Sequence, residues 1–288
     1  MTRYVIALLL SAVSVAAFLL GGPLKGVAVF YGLVDERVDP TVLAQQLEPH
    51  DVWFASDHGN VTAPGVMLVP GCTGTHEFHH AWAQLFVDAG FVVLLIDSFK
   101  ARGVKSDAAL DAVCEGEQVW GFQRAGDVLV SLDRLRDHPQ INPEKLYLVG
   151  WSHGGWSVLD AVALSGRDER LPTLSTPLSN SLAGVQAVAA LYPYCGFGNH
   201  FDRLGWPSDA IHGLFIVADR DRNVDPQPCI DMAQRLRAQT QSVHLLRVDA
   251  DHWFDNPEGF QNVPHEYSAK ATSEARETIL SLFGDSNQ

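Results

Sequence analysis

The sequence predicts an α/β fold, an open and mostly parallel sheet with helices on both faces. Apolar runs of strand length that are uniform rather than alternating suit strands buried on both sides. These runs alternate along the chain with helix-length amphipathic stretches, the pattern of a sheet built from crossover units. The 288 residues, 47% hydrophobic and only 19% charged, supply one sizeable core and are too apolar for a disordered chain.

The elements follow in chain order. From Tyr4 to Leu24 there is no charge, with Arg3 before the run and Lys25 after it, a positive n-region and a long apolar h-region. Residues 1–25 are expected to be a signal peptide, with Ser14-Val15-Ala16 resembling a small-x-small cleavage site, or an N-terminal membrane anchor. The run is about the roughly 20 residues a spanning helix needs, and Arg3 would then stay cytoplasmic. A buried N-terminal helix is the alternative. Export to a periplasmic or extracytoplasmic compartment is the expectation, with residues 4–24 as the tether if uncleaved. Residues 26–50 read as a linker or first strands, and 51–288 as the main domain. Within it Val66–Val69, Val92–Ile96, Leu146–Val149, Val185–Leu191, Leu214–Ala218 and Val243–Val248 read as strands. Segments near 78–89, 119–137, 154–165, 227–239 and 267–283 read as helices. Arg167 to Ala183, rich in Pro, Ser, Thr and Leu, reads as a surface excursion near the sheet's carboxyl edge.

Charge and cysteines narrow the function. With 20 Lys+Arg against 34 Asp+Glu, the formal charge of −14 repels phosphate backbones. No Lys/Arg-rich run is present, so a nucleic-acid partner is not expected. Cys72, Cys114, Cys195 and Cys229 form an even set that, in an exported chain, permits two disulfides in any of three pairings. Their spacing does not suit a structural zinc site.

The chemistry centres on Gly150-Trp151-Ser152-His153-Gly154, a GxSxG between an expected strand and an expected helix. Small residues at 150 and 154 permit a sharp turn that projects the Ser152 hydroxyl above the sheet edge. A hydroxyl needs a base to take its proton. Downstream, the run Phe215–Ala218 leads into Asp219, Asp221 and Asp225, and Val248 leads into Asp251-His252-Trp253. The order Ser, acid, His places all three groups on one sheet edge. His252 is then the base toward Ser152, and Asp221, preferred over Asp219 and Asp225, orients the imidazole. Backbone N–H groups of His153 and of Cys72, in the loop Pro70-Gly71-Cys72-Thr73-Gly74, are the expected oxyanion donors. His76-Glu77-Phe78-His79-His80 satisfies HExxH, a zinc-protease signature. It lies at a helix start directly after the glycine loop, without a distinctive third-ligand motif, and reads as a polar helix N-terminus. No metal or other cofactor is expected.

These residues resemble the dienelactone hydrolase-like α/β-hydrolases, in particular an exported branch with a serine nucleophile. The resemblance runs from about Gly65 to Phe283. It is carried by Pro70–Gly74, Asp97-Ser98-Phe99-Lys100-Ala101-Arg102-Gly103-Val104, Gly150–Gly155, Tyr192-Pro193-Tyr194-Cys195-Gly196 and His252-Trp253-Phe254-Asp255. It implies an α/β-hydrolase fold for 51–288, an Asp shortly beyond the penultimate strand, and hydrolysis of a small-molecule ester or lactone. The best-known members use cysteine where this chain has Ser152, which shifts the expectation toward general ester hydrolysis. Pro70 stands where many α/β-hydrolases have histidine. Arg102 is expected at the active-site edge, where it would bind a substrate carboxylate. Trp151, Trp156, Tyr194 and Trp253 are expected to line an aromatic pocket. The neighbouring loops of the expected fold favour Cys72–Cys114 and Cys195–Cys229. Cleavage of amides or peptides with the same triad, or a non-catalytic membrane-tethered binding protein on this scaffold, are the competing readings.

Overall fold

A computed structural model describes residues 22–56, 62–105, 107–165, 173–178, 181–259 and 265–285. Apart from residues 22–24, the apolar segment 4–24 lies outside these residues. Among the described residues no helix is long and apolar enough to cross a membrane.

The strands are β1 (Val52–Phe54), β2 (Ala63–Val69), β3 (Val92–Leu95), β4 (Ile141–Trp151), β5 (Val185–Leu191), β6 (His212–Ala218) and β7 (Val243–Val248). They form one sheet in the order β1-β3-β2-β4-β5-β6-β7, parallel except for the antiparallel edge pair of β1 with β3. The chain runs from β2 outward to β3 and then crosses back to β4 on the other side of β2. This reversal is the topological switch point, outside whose carboxyl ends α/β sheets bind ligands. The uniformly apolar runs have the predicted cause. Val66, Met67, Leu68 and Val69 are all fully buried, and successive residues enter opposite layers.

The helices are α1 (Gly22–Phe30), α2 (Pro40–Leu47), α3 (Glu77–Asp88), α4 (Asp107–Cys114), α5 (Gly121–Arg136), α6 (His153–Leu164), α7 (Phe201–Leu204), α8 (Gln227–Arg237) and α9 (Ala269–Asp285). One face of the sheet is covered by α3 and α9 through Trp82, Phe86, Ile279 and Phe283. The other is covered by α2, α5, α6 and α8.

Two expectations are corrected. Residues 26–50 are not a linker or first strands, because they fold into α1, α2 and a 3-10 turn over Glu48–His50. The start of α2 has a physical cause visible in the sequence. The Asp39 carboxylate accepts the N–H of Thr41 at 2.9 Å, and Pro40, which has no N–H to satisfy, occupies the first turn. Leu43 and Leu47 of α2 then enter the core. The described parts of 167–183 pack against α5 instead of standing at the sheet's carboxyl edge. Leu174 is 2% exposed within the core, and the Arg136 guanidinium donates to the carbonyls of Ser181 and Ala183. Leu174 supplies the apolar surface that holds this stretch down.

The two disulfides are Cys72–Cys114, which ties the loop after β2 to the end of α4, and Cys195–Cys229, which ties the loop after β5 to α8. The second closes a loop spanning 34 positions. Replacing Cys195 and Cys229 together by serine is expected to lower the unfolding free energy by about 3–4 kcal/mol, the loop-closure entropy returned to the unfolded chain. Denaturant titration under non-reducing conditions measures it.

Candidate active site

The turn from β4 to α6 is built by exclusion of side chains. A Cβ added to Gly154 would lie 2.0 Å from the Val69 carbonyl oxygen, and one added to Gly150 would lie 2.4 Å from the Gly154 oxygen. Only glycine lets β4, the loop after β2 and α6 approach so closely. Between them Ser152 takes φ 50° and ψ −115°. A non-glycine residue held at positive φ stores on the order of 1–3 kcal/mol of strain that the surrounding packing must offset. The Ser152 N–H donates to the Leu191 carbonyl at 2.9 Å, so the backbone is anchored to β5 while the hydroxyl is directed elsewhere.

That hydroxyl meets a histidine. Ala218 and Val248 are register partners on β6 and β7, so the loops that follow leave the sheet at the same height. His252 Nε2 lies 3.0 Å from Ser152 Oγ, and Nδ1 lies 2.6 Å from Asp221 Oδ2. A proton on Nδ1, donated to the carboxylate, leaves Nε2 free to accept from the serine. Asp221 is fixed by the Asn223 and Val224 amides, which donate to Oδ1 at 2.9 and 2.8 Å. Asp219 instead pairs with Arg247 at 2.8 Å, and Asp225 accepts the N–H of Gln227 at 3.0 Å.

Behind the imidazole stands a buried polar cluster. The Tyr192 ring lies 4.5 Å from that of His252, and its O–H donates to Asp255 Oδ1 at 2.6 Å. Asp255 Oδ2 accepts the indole N–H groups of Trp82 and Trp151 at 2.9 and 2.8 Å. Burial pushes the Asp255 carboxyl up from its ordinary value and the Tyr192 phenol well above its own. Tyr192 and Trp253 both hold positive φ, 36° and 55°. Strain thus concentrates at Ser152 and on either side of His252.

Opposite the histidine lies the Pro70–Gly74 loop. A Cβ on Gly71 would sit 3.5 Å from that of Ser152, which brings the neighbouring Cys72 into the same recess. His153 opens α6, where an amide has no acceptor within its own helix. Both sides of the recess are tied to Arg124, a fully buried residue of α5. Its guanidinium donates to the Pro70 carbonyl at 2.9 Å and to His153 Nδ1 at 3.0 Å, and stands over the Phe99 ring. Because arginine only donates, His153 Nδ1 is an acceptor. Burial, reinforced by Arg124, holds the His153 imidazole well below its ordinary pKa. Burial also pushes Arg124 down to about 10, which leaves it charged at neutral pH.

Ser152 and His252 open into a cavity of about 540 Å³, whose wall includes Trp120, Trp156, Tyr194 and Trp253. Residues 51–170 match the dienelactone hydrolase family. This stretch is similar to the dienelactone hydrolases. Solved structures agree on the fold. A dienelactone hydrolase-like promiscuous phosphotriesterase from metagenomic libraries superposes with a TM-score of 0.61 at 17% identity, over 82% of this chain and 91% of that one. A Lactobacillus plantarum carboxylesterase gives 0.59 at 16% identity, over 82% and 91%. Thermogutta terrifontis esterase 2, phosphoramylated by tabun, gives 0.56 at 14% identity, over 82% and 88%. No curated protein matches the chain.

Two expected substrate contacts lie elsewhere. Arg102 does not face the cavity, because its guanidinium is held bidentately by the buried Asp127 at 2.7 Å for both bonds and also donates to the Ser98 carbonyl. Trp151 is 1% exposed and belongs to the core, its N–H committed to Asp255. Within the HExxH segment His76 and His79 make local hydrogen bonds, and the His80 ring packs against Phe54 with centroids 5.6 Å apart. A His76 ring nitrogen meets the Thr73 carbonyl at 3.1 Å, and His79 Nδ1 accepts the His76 N–H at 3.0 Å. Among the described residues no cluster of three or more His, Cys, Asp or Glu is placed to hold a metal ion.

Sequence reasoning missed Arg124, Tyr192 and Trp120 as parts of the site. The available signal was a charge at position 124, set between the apolar residues Phe122, Ala125 and Val128 of an amphipathic helix. Asp160 was missed as well. It accepts the Trp156 indole N–H at 2.9 Å and the Phe201 amide at 2.8 Å, and burial pushes its carboxyl up to about 7. The folded protein therefore keeps this proton over a range in which the unfolded chain has released it. The resulting stability is full below the ordinary carboxyl pKa and is lost as pH rises through about 7. Denaturant titrations from pH 4 to 8 are expected to show the wild type losing stability relative to Asp160→Asn across that window. A pH-independent difference would contradict the assignment.

Proposed function

We propose that this protein is an exported serine hydrolase that cleaves a small-molecule carboxylic ester or lactone through an acyl-enzyme. The observation that carries this reading is the continuous series Ser152 Oγ, His252, Asp221, with separations of 3.0 and 2.6 Å, opening into the aromatic cavity. The match of residues 51–170 to the dienelactone hydrolase family supports hydrolysis of an ester bond. The carboxylesterase and tabun-modified esterase among the similar structures are consistent with it.

Each step follows from the chain's own groups. As Ser152 Oγ bonds to the substrate carbonyl carbon, its proton passes to His252 Nε2. The resulting imidazolium is stabilised by Asp221, held in place by the Asn223 and Val224 amides. The carbonyl oxygen becomes an oxyanion toward which the Cys72 and His153 amides are assigned as donors, since the Ser152 amide is committed to Leu191. Removing one such donor typically costs on the order of 10²–10³ in turnover. Collapse expels the alcohol, which takes the proton back from His252. Water then loses a proton to His252 and adds to the acyl carbon. Release of the carboxylic acid restores the Ser152 hydroxyl.

Export is proposed from Arg3 and the uncharged run Tyr4–Leu24. Two disulfides suit an oxidising compartment. The segment 4–24 either ends in cleavage or remains as a tether.

Ser152→Ala is expected to lower hydrolysis of 4-nitrophenyl acetate by at least about 10³-fold, since the attacking atom is gone. It is also expected to abolish labelling by a fluorophosphonate probe. Retained labelling or undiminished turnover in a folded Ser152→Ala protein would refute the proposal.

A further inference from the structure

We infer that the catalytic cavity selects esters with an uncharged, apolar acyl group and turns away those that carry a carboxylate. Asp111 and Glu115 are assigned as the residues that set this selectivity. The inference rests on the serine-hydrolase reading above and names the substrate class for that site.

The first argument is the wall. Trp120, Trp156, Tyr194, Phe197 and Trp253 surround the space beside Ser152 and His252, with Val113 and Val224 between them. An acyl chain entering this space exchanges water for rings and methyl groups, which favours apolar chains in proportion to the area they bury. A carboxylate making the same passage sheds its hydration and needs a cation or several donors in return.

No cation is placed to receive it. The charged side chains that line the cavity among the described residues are Asp111 of α4 and Glu115 just after it, both acidic. The guanidiniums around it are committed to other partners. Arg222, beside the lining residue Asn223, pairs with Asp251. Arg102 is clamped by Asp127 and lines a separate recess, while Arg124 is buried behind His153 and directs its donors to Pro70 and His153. The acids are also held at the opening. Cys72–Cys114 joins the end of α4 to the loop assigned to the oxyanion. The net charge of −14 adds a field of the same sign over the whole surface. An aromatic slot thus disfavours any charge, and the acids in its lining disfavour negative charge most.

The test uses 4-nitrophenyl esters of one acyl length ending in methyl, trimethylammonium or carboxylate, with kcat/KM measured for each. The expected order is methyl, then trimethylammonium, then carboxylate, with the carboxylate ester at least about tenfold below the methyl one, a desolvation effect. The gap between the two charged esters is expected to shrink in about 0.5 M salt, which screens exposed charges. It is also expected to shrink in the Asp111→Asn, Glu115→Gln double variant, and further in Glu115→Arg. These exposed positions leave the core untouched. A carboxylate ester hydrolysed as well as the methyl ester would overturn the exclusion. A charged-ester gap unchanged in all variants would overturn the assignment of Asp111 and Glu115. Failure of the underlying reading has its own signature, no turnover of any ester together with no labelling of Ser152, and would overturn both.

Discussion

The site depends on one steric constraint, the contact of Gly154 with the backbone of Val69 and Pro70. Any Cβ at 154 would occupy the space of the Val69 carbonyl, so the approach of α6 to the end of β2 is fixed by backbone rather than by side-chain fit. Three consequences follow from that single contact. Ser152 is forced to positive φ and its hydroxyl is lifted off the sheet edge. The Pro70–Gly74 loop is brought beside it, so nucleophile and prospective oxyanion donors share one recess. The N-terminus of α6, the positive end of a helix dipole, is aimed at the same point, where negative charge would develop.

Around this turn, the parallel sheet acts as a jig. Its register places the ends of β6 and β7 level, so an acid three residues past Ala218 and a histidine four past Val248 meet within hydrogen-bond distance. Two buried polar groups stiffen the arrangement from opposite sides. Asp255 gathers Trp82, Trp151 and Tyr192, and Tyr192 backs the His252 ring. Arg124 joins Pro70 to His153 across the recess. Each would be costly if unpaired, because a buried charge without partners is strongly destabilising. Each is held by several neighbours at once, which limits how far Ser152 and His252 can drift apart. The disulfide from Cys72 extends the same rigidity outward to α4 and the mouth of the cavity.

Much of this was legible in the sequence. Strands inside the sheet are apolar at nearly every position, which delimited β5 at Val185–Leu191. The edge strand β7, with His244 and Arg247 exposed, was still bounded by its apolar ends at Val243–Val248, as the structure has it. Ser152, Asp221 and His252 were legible because each stands just past the end of a strand, where parallel topology collects residues on one edge. Residues 26–50 were harder to read, since α1 and α2 are short and their apolar positions make sense only against Trp120 and the layer around α5. The Asp39-Pro40 cap was the local signal available.

Arg102 and Trp151 mark where local pattern gives out. From its loop position Arg102 was expected to meet a substrate carboxylate, and the outcome turned on Asp127, 25 positions later, being buried beside it. Trp151 adjoins the nucleophile in sequence, but alternate residues of a strand face opposite sides. Its side chain therefore enters the core with Trp82 and Asp255 instead of the cavity. The sequence alone determined the fold class, the order of the chemical groups and the turn that lifts Ser152, because periodicity, chain order and glycine spacing are local properties. Only the tertiary structure decided which charges are spent on one another and which rings face the empty space, because pairing and burial depend on neighbours that the chain brings from far away.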